Sequence, residues 1–253
     1  MKIKVLGASG SDLPKHNLSS FLVDGTILFD AGGVTSCLSF KAQQRIEHIF
    51  ITHAHLDHIR DIPFVADNII LSGKLKQINI FSIREVIEDI KSHLLNYRLW
   101  PDFTVIPNTQ ESILKLNIIE EEKTIAVNGY EITAYRMNHT VPSVGYLVEA
   151  KGKRFFYTGD TSSAPDTWKK LAEKKLDALI VEISFPDSMK EIALKTGHLT
   201  AQLFFEDLKL FNYFPKRIYI THVKPFYKSQ IKKDLKKVGQ KVKILNGREV
   251  IRI

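Results

Sequence analysis

The sequence predicts a layered α/β sandwich, with two sheets packed face to face and helices outside. Three observations carry this expectation. Short β-rich runs open each half of the chain, and amphipathic segments follow them. That strand-then-helix order occurs twice without repetition of sequence. No Pro/Gly/Ser-rich linker separates the halves, so residues 1–253 are expected to form a single domain. Sheets and amphipathic helices must bury their apolar faces against one another, and layering achieves this.

The first half begins with "KIKVLG" (2–7), "SSFLV" (19–23) and "TILFDAGG" (26–33), β-rich runs punctuated by Gly, Asp and Pro. "FLVDGTILFD" contains an Asp-Gly turn between two apolar runs, a strong hairpin signal. "IEHIFITHAH" (46–55) reads as a buried strand with histidines just past its end, and "INIFS" (78–82) as another strand. "IREVIEDIKSHLL" (83–95) has apolar residues at helical spacing.

In the second half, "KTIAVNGYEITAYRMNH" (123–139) is a hairpin with an Asn-Gly turn. "VGYLVEAKGKRFFYTGDTS" (144–162) is a second hairpin, turning at "AKGK". A helix at 165–175, a buried strand at 176–185 and a helix at 199–211 follow. A strand at 216–225, a long helix at 229–239 and a closing strand at 241–246 complete the chain.

Composition narrows the class. The chain is 44% hydrophobic and 25% charged, ordinary values for a globular protein. No apolar run approaches the roughly 20 residues of a membrane helix, and the N-terminus reads as a strand and turn, not a signal peptide. Cys37 is the only cysteine, which excludes an intrachain disulfide and fits a reducing cytoplasm. Cys37 itself is expected to be a small buried hydrophobe. The net charge of +8 favours anionic partners. Much of that excess sits in "KSQIKKDLKKVGQKVK" (228–243), which reads first as a solvated helix face and second as a nucleic-acid surface.

The chemistry concentrates in "ITHAHLDHIRD" (51–61), where His53, His55, Asp57 and His58 fall within six positions. Packing gives no reason for such a cluster. Imidazoles suit Zn, Fe, Ni or Mn, and a carboxylate adds charge and can bridge two ions. Four ligands do not complete two metal sites, so others must come from later strand ends. His139 follows "EITAYRMN", Asp160 lies in "YTGDTS", and His222 lies in "YITHVKP". Each has an apolar strand before it and a loop after it, where site residues on a rigid scaffold belong. The expected set is His53, His55 and His139 for one ion, Asp57, His58 and His222 for the other, with Asp160 bridging. His16, His48 and His93 lie outside the pattern, and Asp30 reads as a turn or supporting residue.

This order of motifs, with "DAGG" at residues 30–33 and the duplicated strand-helix plan, resembles the metallo-β-lactamase superfamily over essentially the whole chain. The resemblance implies a four-layer αββα sandwich with the metals at one edge of the sheets. It does not select the reaction, since that superfamily includes β-lactamases, thioesterases, phosphodiesterases, nucleases and oxidoreductases. Two adjacent ions polarise a phosphoryl or carbonyl oxygen and supply a hydroxide at neutral pH, so hydrolysis is expected.

"GHLTAQ" (197–202) discriminates further. His198 stands at a helix start, outside the metal set, where its imidazole could bond a phosphate oxygen or protonate a departing alkoxide. Helix N-terminal N–H groups would favour a phosphate nearby. Glu182 in "VEISF" could orient that imidazole. "GHLTA" with "VEISF" resembles the phosphodiesterase branch, shared by ribonuclease Z and the class II 3′,5′-cyclic nucleotide phosphodiesterases. "THAHLDH", "VEISFP", "ITHVKP" and "SHLLNYRLWPDF" (92–103) look like signatures of the second family. The long basic tRNA-gripping arm of the first has no counterpart here. One departure is Asp61, where the class II pattern has a small residue; it could narrow or recharge the loop beside the site.

The resemblance therefore implies hydrolysis of cAMP or cGMP to nucleoside 5′-monophosphates. Asp57, His198 and Glu182 are the expected catalytic residues, and two divalent ions the expected cofactors, zinc first, with Mn or Fe as alternatives. Asn17 and Ser19 in "HNLSS", Ser143 and Lys224 are candidate substrate contacts, and Trp100 a candidate stacking partner for a base. A ribonuclease Z-like RNA phosphodiesterase and a metal-binding nucleotide sensor are the competing readings. The partner is expected to be a small phosphodiester and not a membrane. The resemblance also suggests a homodimer.

Overall fold

The computed structural model describes residues 1–73, 76–237 and 242–253. In chain order the first part holds β1 (Lys2–Gly7), β2 (Ser20–Val23), β3 (Ile27–Phe29), α1 (Phe40–Gln43), β4 (His48–Phe50), α2 (Leu56–Ile59) and α3 (Ile62–Leu71). β5 (Ile78–Ser82), α4 (Arg84–Asp89) with a π-helical turn (Ile90–Leu94), and β6 (Leu114–Ile118) follow. The second part holds β7 (Thr124–Val127), β8 (Tyr130–Met137), β9 (Ser143–Ala150), β10 (Lys153–Tyr157), α5 (Pro165–Leu171), β11 (Ala178–Glu182) and α6 (Lys190–Lys195). It ends with α7 (Ala201–Leu208), β12 (Ile218–Thr221), α8 (Lys228–Lys237), β13 (Val242–Ile244) and β14 (Val250–Arg252).

The strands form two sheets, ordered β14-β1-β2-β3-β4-β5-β6 and β13-β12-β11-β10-β9-β8-β7. Each begins as an antiparallel meander and continues in parallel, through β3 to β6 in one and β10 to β13 in the other. Parallel neighbours need crossover connections, which run over the outer faces and carry the helices. The hairpin turns sit where sequence placed them, at Asp24–Gly25, Asn128–Gly129 and Lys151–Gly152, each pair with positive φ as tight hairpins require.

Aromatic rings join the sheets. Phe29 and Phe50, paired in the first sheet, meet Tyr146 of the second at 5.6 and 5.4 Å between ring centroids, and Phe21 meets Tyr157 at 4.8 Å. Two hydroxyls then pin one sheet to the other: Tyr146 donates to the Ile51 carbonyl at 2.7 Å and Tyr157 to the Asp30 carboxylate at 2.6 Å. The Ile51 carbonyl opens the histidine motif just past β4, and Asp30 follows the end of the neighbouring β3. A second core forms where Trp168, Leu171, Phe204, Leu208 and Ile231 cover the other face of the second sheet. There the Trp168 indole donates to Asp207 at 2.6 Å.

Some elements differ from expectation. The helix foreseen over 83–95 is split, α-helical to Asp89 and π-helical beyond it. α2 is a single turn, and α3 buries Ile62, Pro63, Val65, Ala66 and Ile69, so neither shows a clear amphipathic stripe in sequence. β14 is three residues long and exists by pairing with β1, Arg252 opposite Lys2. The expectations for residues 238, 239 and 241 lie outside the described residues.

Candidate metal centre

The histidine motif spans a strand end and a helix start. β4 ends at Phe50; His53 and His55 follow in extended chain, and His55 is the N-cap of α2. Asp57 and His58 occupy that single helical turn. Three more side chains arrive from the second sheet: His139 just past β8, Asp160 past β10, and His222 directly after β12. His222 has a φ of 56°, a left-handed conformation that is costly for a residue with a Cβ and common at functional sites.

These seven side chains converge in two groups, His53–His55–His139 and Asp57–His58–Asp160–His222, each with donor atoms within 4.8 Å of one another. Asp160 links them. Its carboxylate lies 3.9 Å from His53 Nε2, 3.4 Å from His58 Nε2 and 3.2 Å from His222 Nε2. Asp57 Oδ2 lies 3.1 Å from His222 Nε2, and His139 Nε2 lies 3.2 Å from His55 Nδ1.

In four of the five histidines the opposite ring nitrogen is engaged. His53 Nδ1 meets Thr52 Oγ1 at 3.0 Å, and His58 Nδ1 meets Asp30 Oδ2 at 2.7 Å. His139 Nδ1 meets the Gly197 carbonyl at 2.8 Å, and His222 Nδ1 meets Ser184 Oγ at 2.9 Å. Such outer partners fix the ring orientation and direct Nε2 inward. His53 and His58 are fully buried, yet among the described residues their Nε2 atoms have no hydrogen-bond partner. Burying an unpaired polar atom is costly. A divalent cation is a partner for which imidazole and carboxylate donors are suited, so the donor set fits a dinuclear metal site.

Asp30, Thr52, Tyr157 and Ser184 support this arrangement, and sequence pattern revealed only Asp30 as a supporting residue. Asp30 also accepts from the Thr52 amide at 2.8 Å, so one carboxylate holds both the loop before His53 and the ring of His58. Gly197 is required at its position. Its φ is 72°, and a Cβ there would stand 2.8 Å from His139 Nδ1. Gly32 leaves room for the motif, since a Cβ would stand 1.9 Å from the Asp57 carbonyl.

Beside the cluster lies a second unit. Glu182, the last residue of β11, is fully buried, and its Oε1 lies 2.7 Å from His198 Nδ1. Glu182 also accepts from Ser184 Oγ at 2.9 Å and from the Thr161 amide at 3.2 Å. His198 precedes α7, whose N-cap is Thr200, and its ring stacks near His222 with centroids 5.4 Å apart. Burial depresses the His198 pKa, but the Glu182 carboxylate and the nearby Asp160 outweigh it and raise it above the ordinary histidine value. Burial and neighbouring imidazoles instead pull His53, His55 and His139 below that value. For His58, burial opposes charge, but Asp160, Asp30 and Asp57 prevail and raise it. Burial opposes ionisation of Asp160 too, and His222 and His58 override it to hold the carboxyl well below the carboxylate range.

Asn17, Ser143, Ser19, Trp100, Cys37 and Asp61 are placed differently from the sequence reading, while Lys224 stands near His198. Asn17 does not face a substrate; its amide donates to the Leu6 carbonyl at 3.4 Å and to Cys37 Sγ at 2.8 Å. Ser143 is fully buried beneath the site, donating to the Asp160 carbonyl at 3.3 Å, and Ser19 is also buried. Neither has the exposure a substrate contact needs. Lys224 donates to the Gly10 carbonyl at 3.1 Å and sits over the Phe185 ring. Trp100 packs edge-on against Phe64 at 5.0 Å and anchors its loop. Cys37 is only half-buried and donates to the Leu6 carbonyl at 3.0 Å, so it is a polar bridge more than a packed hydrophobe. Asp61 does not recharge the metal site. Its buried carboxylate accepts from the Thr35 amide at 2.7 Å and hydroxyl at 2.9 Å and pairs with Arg60.

Residues 26–223 match a domain family described as "Beta-lactamase superfamily domain". The chain belongs to that superfamily. Its two sheets and outer helices are the metallo-β-lactamase fold, in a superfamily of hydrolases. Similar proteins include a "Probable 3′,5′-cyclic-nucleotide phosphodiesterase" of Yersinia pestis, 27% identical over 73% of this chain. This chain spans 59% of that relative's length. A "Ribonuclease Z" of Methanocaldococcus jannaschii is 27% identical over 97% of this chain and 94% of its own. The 310 aligned positions there exceed the 253 residues of this chain, so the archaeal relative carries insertions that it lacks. Among solved structures, unliganded yeast PDE1 superposes with a TM-score of 0.84 at 19% identity, covering 96% of this chain and 97% of its own.

Proposed function

We propose that this chain of the metallo-β-lactamase fold is a dinuclear-metal phosphodiesterase that hydrolyses 3′,5′-cyclic nucleotides to nucleoside 5′-monophosphates. The observation that carries the phosphodiester part is the buried Glu182–His198 pair, 2.7 Å apart, beside the two ligand groups. His53, His55 and His139 would hold one divalent ion, Asp57, His58 and His222 the other, with Asp160 between them. Zinc is the first choice, and Mn or Fe suit the same donors. The ions, when bound, supply Lewis acidity toward phosphoryl oxygens and lower the pKa of a water.

The chain's own residues do the rest. His198 uses Nδ1 to bond Glu182, which leaves Nε2 for the substrate. The Glu182 carboxylate raises the pKa of this imidazole and so favours its protonated form. Nε2–H donates to a phosphoryl oxygen and then passes its proton to the 3′ oxygen as the P–O bond breaks. Glu182 stabilises the imidazolium and fixes its tautomer. Lys224, near enough to influence the His198 pKa, adds positive charge at the same rim.

The cyclic nucleotide is put ahead of RNA by the motifs "THAHLDH", "VEISFP" and "ITHVKP" and by the Yersinia relative, which is named for that activity. A second reading rests on the lysine-rich α8, whose basic residues suit a polyanion. The test is a substrate panel on protein of measured metal content. cAMP or cGMP should give the 5′-monophosphate; no turnover of either under Zn, Mn and Fe overturns the proposal. Cleavage of precursor tRNA, with binding that falls steeply with salt, would move the assignment to the RNA reading.

A further inference from the structure

A pocket opens beside His55, the half-buried histidine of the three-histidine group. Its volume is about 300 Å³, and Leu56, Ile59, Leu94, Leu99 and Val141 form its apolar wall. That volume lies at the lower end of the roughly 300–1,000 Å³ of small-molecule sites. Asp89 and His93 stand at the edge, 3.9 Å apart. Leu56 is 64% exposed and Leu99 68% exposed, an unusual investment of leucine in solvent on one rim. The π-helical turn contributes two of these residues: the Leu95 amide reaches back to the Ile90 carbonyl at 3.0 Å, widening the helix where His93 and Leu94 meet the pocket. π turns of this kind occur mostly inside helices at functional sites.

We infer that this pocket receives the nucleobase of the substrate, an inference that rests on the phosphodiester reading of the adjacent cleft. The pocket shares His55 with the metal ligands, so a group attached to a phosphate at the metals has this wall within reach. The occupant must be largely apolar on its faces and polar at its edge. A heteroaromatic base meets both conditions, with its faces against Leu56, Leu99 and Val141 and its edge toward Asp89. The His93 imidazole offers a stacking surface, as histidine does for unstacked bases. Trp100, turned onto Phe64, takes no part. Leu99 becomes a specificity-determining position: it selects for a base-bearing ester over a bare sugar phosphate.

Binding of two products to the metal-loaded protein tests this by calorimetry, 5′-AMP against ribose 5-phosphate, which differ only by the base. The wild-type protein should bind 5′-AMP about ten-fold more tightly, the scale expected for burying one apolar face. In Leu99→Asp, a change at an exposed position with little demand on folding, the ratio should fall close to one. Equal affinities in the wild type, or an undiminished ratio in the variant, overturn the assignment. Turnover is read separately. If the ratio holds but no cyclic nucleotide is hydrolysed, the catalytic reading falls and the pocket stands. If cAMP is hydrolysed while the ratio is one, the pocket falls and the catalytic reading stands.

Discussion

His139 and His198 have ring centroids only 5.2 Å apart, yet the protein drives their protonation in opposite directions. His139 is pulled down by burial, and its Nδ1 is tied to a neutral backbone carbonyl. His198 is more deeply buried, but its Nδ1 meets the buried carboxylate of Glu182 and its pKa rises. The difference teaches how one residue type is divided between two tasks. An imidazole partnered by a carbonyl stays neutral and offers a lone pair, as a metal ligand must. His198, partnered by a carboxylate and standing outside the two ligand groups, is pushed toward its protonated form and can donate; His58, whose Nδ1 also meets a carboxylate, instead turns Nε2 inward among the ligand groups.

The most damaging way to break this division is Asp160→Ala. It removes the carboxylate shared by His53, His58 and His222, so bound metal should fall to one ion or fewer per chain by elemental analysis. Activity should drop by several orders of magnitude, and the protein should lose stability because metal binding is coupled to folding. His198→Ala should separate the two tasks. Both ions stay, and turnover falls by about 10²–10⁴-fold, the usual contribution of a positioned acid; loss of metal would instead make His198 a ligand.

Glu182→Gln tests the cause of the difference. With the carboxylate gone, the His198 pKa should drop, and the alkaline limb of the pH–rate profile should move to lower pH. The sign follows from linkage: a histidine whose pKa is raised by folding stabilises the fold fully below its unfolded value, near 6.5, and this is lost as pH rises through the folded value. The variant should accordingly lose stability at acidic to neutral pH and little at alkaline pH, read by urea unfolding across pH. The smallest catalytic effect is expected for Asp61→Ser. Its buried carboxylate serves Thr35 and not the metals, so removal should cost about 1–3 kcal/mol of stability, the range for a broken buried hydrogen bond. Metal content should stay unchanged.

Much of the site was legible because its signals are local or lie at strand ends. His53, His55, Asp57 and His58 announce themselves by spacing, and His139, Asp160 and His222 each follow an apolar run that had to be a strand. The structure brings all seven to one edge of the two sheets. Asp61 shows the limit of this reasoning. It is adjacent to the motif in sequence, yet it caps α3 and faces the loop of Thr35, because the helical turn of α2 rotates successive side chains apart. Asn17 and Ser143 turn to Leu6 and Asp160 carbonyls, since nearness to the site in sequence does not say which way a side chain points.

The sequence by itself determined the layered fold and named the candidate ligand types and the histidine–glutamate pair, because periodicity and residue chemistry are written locally. Only the tertiary structure decided which nitrogen of each histidine faces inward, how Asp30 and Ser184 enforce that choice, and where β14 closes the first sheet. Those outcomes depend on contacts between residues far apart in the chain, Asp30 with Tyr157 and Ser184 with His222, which no local pattern encodes.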